Sequence, residues 1–90
     1  MKTRTGFSAE EAKWVASELG IVWHAVDFDL DEFRLGLDTE LEHGTREEDT
    51  NVTGDDPVLT GKIALAHLRE LPDYYTRLKR MEAEAIPLAT

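Results

Sequence analysis

Residues 21–28 read Ile21-Val22-Trp23-His24-Ala25-Val26-Asp27-Phe28, and the conformation of this run decides the fold class. It is apolar, with β-branched and aromatic side chains, and periodicity alone does not separate a short buried strand from a packed connector. A strand needs neighbours, because an isolated hairpin-sized piece is marginal in water. No second strand-like segment exists in the chain to pair with it. The run is therefore expected to be a packed linker anchored by Trp23, with His24 partly buried beside it, inside an all-α fold.

Helix signals lie on both sides. Upstream, Ser8-Ala9-Glu10-Glu11 has the form of a capping box, with Phe7 placed to staple onto the first turns. Ala12, Val15, Ala16 and Leu19 follow at helical spacing, and Gly20 suits the position just past a helix end. The first helix is expected over about 9–19. Downstream, Asp29-Leu30-Asp31-Glu32 is a second capping signature, with acids where a helix N-terminus favours them. Leu30, Phe33, Leu37 and Leu41 form one apolar stripe that Gly44 is expected to close, which predicts a helix over about 30–43.

Residues 44–56, GTREEDTNVTGDD, are polar and read as a long loop. Structureless loops of this length are uncommon in compact domains unless they carry a function. Asp56-Pro57 restarts a helix with Asp at the cap and Pro at the first position. The third helix, about 57–71, holds Ile63, Ala64, Leu65, Ala66 and Leu68 and is apolar nearly all round, which predicts a central place for it. Pro72 interrupts, and Tyr74, Leu78, Met81 and Ala85 mark a fourth helix over about 73–85 that ends near Pro87. Ninety residues suit one domain, so 1–90 is read as a single bundle of about four helices.

Charge and composition narrow the functional classes. The net charge is -9, and between Asp27 and Asp56 twelve acidic residues face only Arg34 and Arg46, a local balance of -10. Such a block disfavours direct binding to nucleic acid phosphates or an anionic membrane. There are no cysteines, so disulfides and thiolate metal sites are excluded. No signal peptide or membrane-length apolar run is evident, and a cytoplasmic location is the expectation.

Two constellations could carry chemistry. Glu40-x-x-His43 on the second helix and His67-x-x-Glu70 on the third each offer a carboxylate and an imidazole on one helical face. Facing pairs of this kind suit a divalent transition metal: iron, manganese or zinc. Against it, Glu40 lies near the end of its helix, whereas His67 lies ~15 Å along the third helix at 1.5 Å per residue. His43 and His67 can equally be structural: His43 meets a helix C-terminus, His67 is a core histidine hydrogen-bonded to Glu70 or a tyrosine, or the two bond loop backbone near Thr50–Thr53. The second constellation, Asp49-x-Asn51-x-Thr53-Gly54-Asp55, follows the opening of an EF-hand loop, but Thr60 occupies the twelfth position where a bidentate Glu belongs. Thr, Asn and Asp at such spacing more often build turns and caps. Of the two adjacent tyrosines, helical spacing turns Tyr74 toward the core.

The strings ELEHGT (Glu40–Thr45), TNVT (Thr50–Thr53), DDP (Asp55–Pro57), GKIALAHL (Gly61–Leu68) and PDYYTRL (Pro72–Leu78) resemble a family of small phage and prokaryotic proteins known as a domain of unknown function. The resemblance covers almost the whole chain. It implies a compact helical domain and no particular reaction, substrate or cofactor. The polar residues within those strings, among them Glu42 and His43, are positions of interest without an implied role.

The reading favoured by these observations is a small acidic accessory or interaction module, non-enzymatic, with a protein partner. Its expected contact or loop-organising residues are Thr45, Asn51, Thr53, Asp55 and Asp56. A metal-binding protein using Glu40, His43, His67 and Glu70 is the alternative. An acidic mimic of nucleic acid, occupying a basic groove, is a weaker one.

Overall fold

A computed structural model of the chain describes residues 6–46 and 56–89, with side chains in those spans except at 43–46 and 85–89. Four helices run in order: α1 (Ala9–Glu18), α2 (Leu30–Arg46), α3 (Pro57–Glu70) and α4 (Tyr74–Ala89). Among the described residues there is no strand. The 21–28 run is a connector, as the missing strand partner requires, with one 3-10 turn at Trp23–Ala25.

The anchoring of that connector differs from expectation. Phe28 is the buried side chain, and Trp23 stays 38% exposed. Trp23 packs edge-on against Phe28 and Phe33, with ring centroids 6.1 and 6.2 Å away. The ring therefore seals the cluster from outside, and His24 is exposed rather than partly buried.

The helix starts follow local chemistry. Ser8 Oγ accepts from the Glu11 N–H at 3.1 Å while Glu11 accepts from the Ser8 N–H at 2.9 Å, a complete capping box. Phe7 is buried ahead of it. Its N–H donates to Asp38 at 2.7 Å and its carbonyl accepts from Arg34 at 2.6 Å, so two α2 side chains hold the entry to α1. Gly20 ends α1 with φ +73, and the Gly20-to-Ser17 and Ile21-to-Ala16 bonds close a Schellman motif. Asp56 accepts from the N–H groups of Val58 and Leu59 at 2.9 and 3.0 Å and caps α3.

Two helix ends lie beyond their expected positions. α2 passes through Gly44 to Arg46, and α4 passes through Pro87 to Ala89. A glycine costs a helix only about 1 kcal/mol relative to alanine and ends one when it turns left-handed. Gly20 is the one described glycine that does so. Pro87 lacks an N–H donor, yet the backbone stays helical through it to Ala89.

The central helix is α2, not α3. α2 packs on α1, α3 and α4, whereas α3 packs mainly on α1 and α2. α3 leaves Leu59 and Ala66 exposed and Ile63 half-buried, so its composition overstated its buried face. α2 instead buries Phe33, Gly36, Leu37 and Leu41. Two glycines set the closeness of the packing. A Cβ on Gly61 would lie 2.5 Å from Val15 Cγ1, and one on Gly36 would lie 2.5 Å from Tyr75 Cε2.

Candidate functional site

Glu40 of α2 and His67 of α3 do meet. His67 Nδ1 lies 3.1 Å from Glu40 Oε2. The extension of α2 to Arg46 reconciles the offset along the helices: Glu40 lies ~9 Å from the end of α2, nearer to the ~15 Å by which His67 follows the start of α3. A third group completes the arrangement, the tyrosine that is one of the two partners expected for a structural His67. The Tyr75 hydroxyl donates to Glu40 Oε2 at 2.7 Å and lies 2.9 Å from His67 Nδ1. One carboxylate, one phenol and one imidazole thus join α2, α3 and α4.

The protons of this triad can be assigned. A phenol has one hydrogen, and here it points to Glu40. His67 Nδ1 is then the donor, toward the phenol oxygen and the same carboxylate. Nε2 makes no hydrogen bond among the described residues. Tyr74 stacks on the imidazole at 4.6 Å. Tyr75 is fully buried. Burial first, and the Glu40 contact second, raise its hydroxyl far above the ordinary tyrosine range, so it holds its proton at any physiological pH.

The other expected site residues are placed differently. Glu70 is exposed and makes no bond to His67, although the two are three apart on α3. The His43 and Thr45 backbones belong to α2, and their side chains lie outside those described. Asn51, Thr53 and Asp55, together with most of the 44–56 loop and the EF-like stretch, lie outside the described residues. Asp56 is the α3 cap. Thr60 is fully buried, and its hydroxyl donates to the Asp56 carbonyl at 2.7 Å within α3, so its role is local. His67 bonds Tyr75 and Glu40, and the expected bonding to loop backbone near Thr50–Thr53 lies outside the described residues. Among the described residues, no group of three or more His, Asp or Glu side chains is arranged to hold a metal ion.

The tyrosine register is the clearest correction. Tyr75 faces the core and Tyr74 is only half-buried, the reverse of what the Tyr74, Leu78, Met81 spacing suggested. Two features select Tyr75: Gly36 leaves space for its ring, and Glu40 accepts its proton. Hydrophobic periodicity reads neither. With Tyr75 inward, Tyr74 and Leu78 pack against the core at partial burial and Met81 faces out. Leu71, Tyr74, Arg77, Leu78 and Met81 line an open groove of ≈ 260 Å³. Met81 is 59% exposed and Leu71 is 39% exposed.

The fold and these two features define a small all-α domain with a polar lock inside and an apolar groove outside. The chain belongs to the DUF5661 family of proteins of unknown function, matched over residues 12–84, a span that includes both features. No curated protein and no solved structure matches it. Among the described residues no helix is long and apolar enough to cross a membrane.

Proposed function

We propose that the protein is a non-enzymatic helical interaction module whose docking surface is the groove on α4. The observation that carries this reading is the open groove lined by Leu71, at the end of α3, and by Tyr74, Leu78 and Met81 of α4, where Met81 is 59% exposed, beside the Tyr75 lock. Contiguous apolar surface rimmed by charge marks a contact site more often than a scattered apolar residue does. The triad then serves the surface indirectly, by fixing how α4 is rotated against α2. The polar residues Thr45, Asn51, Thr53 and Asp55 remain proposed as a second contact region.

A photo-crosslinking residue at position 81, in cells producing the full chain, tests the reading. A discrete protein adduct is expected, and it should vanish when Leu78 is replaced by Asp. The same residue at exposed position 14 serves as the control. Absence of any adduct specific to position 81 would overturn the reading.

A second reading keeps a metal at His67. It is favoured by the Nδ1–H tautomer, which offers Nε2 as a ligand atom while Glu40 orients the ring from behind, as outer carboxylates do for metal-bound histidines. Glu40 is then an orienting group and not a ligand. Elemental analysis of untagged protein tests it: near-stoichiometric iron, manganese or zinc, lost in His67→Ala, is the supporting result. Metal-free protein whose melting is unchanged by EDTA contradicts it.

A further inference from the structure

The two edges of the His67 ring are unlike. Nδ1 is enclosed, with Glu40 Oε2 3.1 Å away and the Tyr75 hydroxyl 2.9 Å away. Tyr75 is fully buried and the Glu40 side chain is 11% exposed, so this edge is shut off from water. The His67 side chain is nevertheless 36% exposed, and Nε2, on the far edge, makes no hydrogen bond among the described residues. Tyr74 covers a face of the ring at 4.6 Å and limits its rotation.

This arrangement favours a nucleophilic imidazole. The bonds at Nδ1 make it the protonated nitrogen, so in the neutral ring the free lone pair is on Nε2. The carboxylate behind Nδ1 makes that lone pair more basic. It also stabilises the positive charge that the ring gains when Nε2 forms a bond. The cargo follows from the exposure of Nε2. An acylated imidazole is soon lost to water, whereas a phosphorylated one persists at neutral and alkaline pH. A donor with a P–N bond suits the transfer, because one such bond breaks as another forms and the step is close to balanced.

We propose that His67 is a phosphoryl acceptor, taking the group on Nε2 from a donor of the phosphoramidate class, with Glu40 as its positioning residue. The Nε2 lone pair forms the new bond to phosphorus as the P–N bond of the donor breaks, and that electron pair leaves with the donor amine. With phosphoramidate itself, whose nitrogen is already protonated, ammonia departs and no further proton is required. The ring keeps its Nδ1 proton, and its positive charge lies against the Glu40 carboxylate. The α4 groove has no part in this step, so the proposal stands or falls apart from the docking reading. It draws on the same nitrogen as the metal reading, and its test therefore uses protein treated with EDTA.

The full chain is incubated with potassium phosphoramidate at mildly alkaline pH, and its products are followed by tandem mass spectrometry and phosphorus NMR. His24 is exposed and serves as the internal reference. His67 should be phosphorylated about tenfold faster than His24, and on Nε2 alone. Glu40→Gln keeps an acceptor for Tyr75 without the charge, and should slow His67 about tenfold while leaving His24 unchanged. Circular dichroism verifies that the variant is folded. A His67 rate no higher than that of His24, a product on Nδ1, or a rate in folded Glu40→Gln equal to wild type overturns the proposal. The ratio of His67 to His24 in wild type is decisive even where the variant does not fold.

Discussion

Glu32 on α2 accepts the backbone N–H of Tyr75 at 3.0 Å, so the second helix caps the fourth. The same carboxylate oxygen accepts from the Thr76 N–H at 3.0 Å, and the other oxygen takes the Thr76 hydroxyl. Locally, Glu32 is the last residue of the Asp29-Leu30-Asp31-Glu32 capping signature, and Asp29 accepts its N–H at 2.9 Å as expected. The Glu32 side chain does not return to Asp29. It reaches the free donors at the start of α4, where a negative charge also meets the helix dipole.

Removing this cap should cost more than an ordinary surface carboxylate. Glu32→Ala is expected to lose about 1–2 kcal/mol in urea unfolding, the range of a lost N-cap. Glu32→Gln keeps an acceptor but not the charge and should lose about 0.3–1 kcal/mol. Two variants both as stable as wild type would show that α4 starts without help from α2.

Tyr75→Phe keeps the ring in its slot and deletes the hydroxyl. It should cost about 1–3 kcal/mol at neutral pH, because Glu40 loses its donor in a partly buried position. The pH dependence has a definite sign. The native Tyr75 hydroxyl is raised, so the folded state keeps a proton that the unfolded chain loses above about pH 10. Its contribution is fully present below pH ~10 and is lost as pH rises further, at about 1.4 kcal/mol per pH unit. The gap between wild type and Tyr75→Phe should therefore narrow above pH ~10. A constant gap would mean that the hydroxyl is not buried in solution.

Gly36→Ala tests the slot from the opposite wall. In an open helix this change stabilises by about 1 kcal/mol. Here the added Cβ would lie 2.5 Å from Tyr75 Cε2, 2.9 Å from Tyr75 Cδ2 and 3.2 Å from Ala64 Cβ. The buried ring has no free end to yield, so a net loss of about 1–3 kcal/mol is expected from thermal unfolding. A stabilised Gly36→Ala protein would contradict the packing of α4 on α2.

Much of the fold was legible because it is written in local chemistry. The Ser8 box, the Asp29 and Asp56 caps and the Gly20 stop each act within four or five residues, and each does what its residue type implies. The Glu40–His67 meeting was legible as a facing pair of short motifs. What sequence did not reveal is tertiary in origin. Tyr75 is selected by an absent Cβ on α2 and an acceptor thirty-five residues away, and Glu32 by donors forty-three and forty-four residues away. Helical spacing placed Tyr74 and Leu78 against the core, where they are half-buried, but also Met81, which is exposed.

The account turns on Met81 lying at the surface of α4 and not in its core. Unfolding of Met81→Asp tests this. The account predicts stability within about 0.5 kcal/mol of wild type, as for other exposed positions. A loss of about 2 kcal/mol or more, the usual cost of disrupting a core, would contradict it.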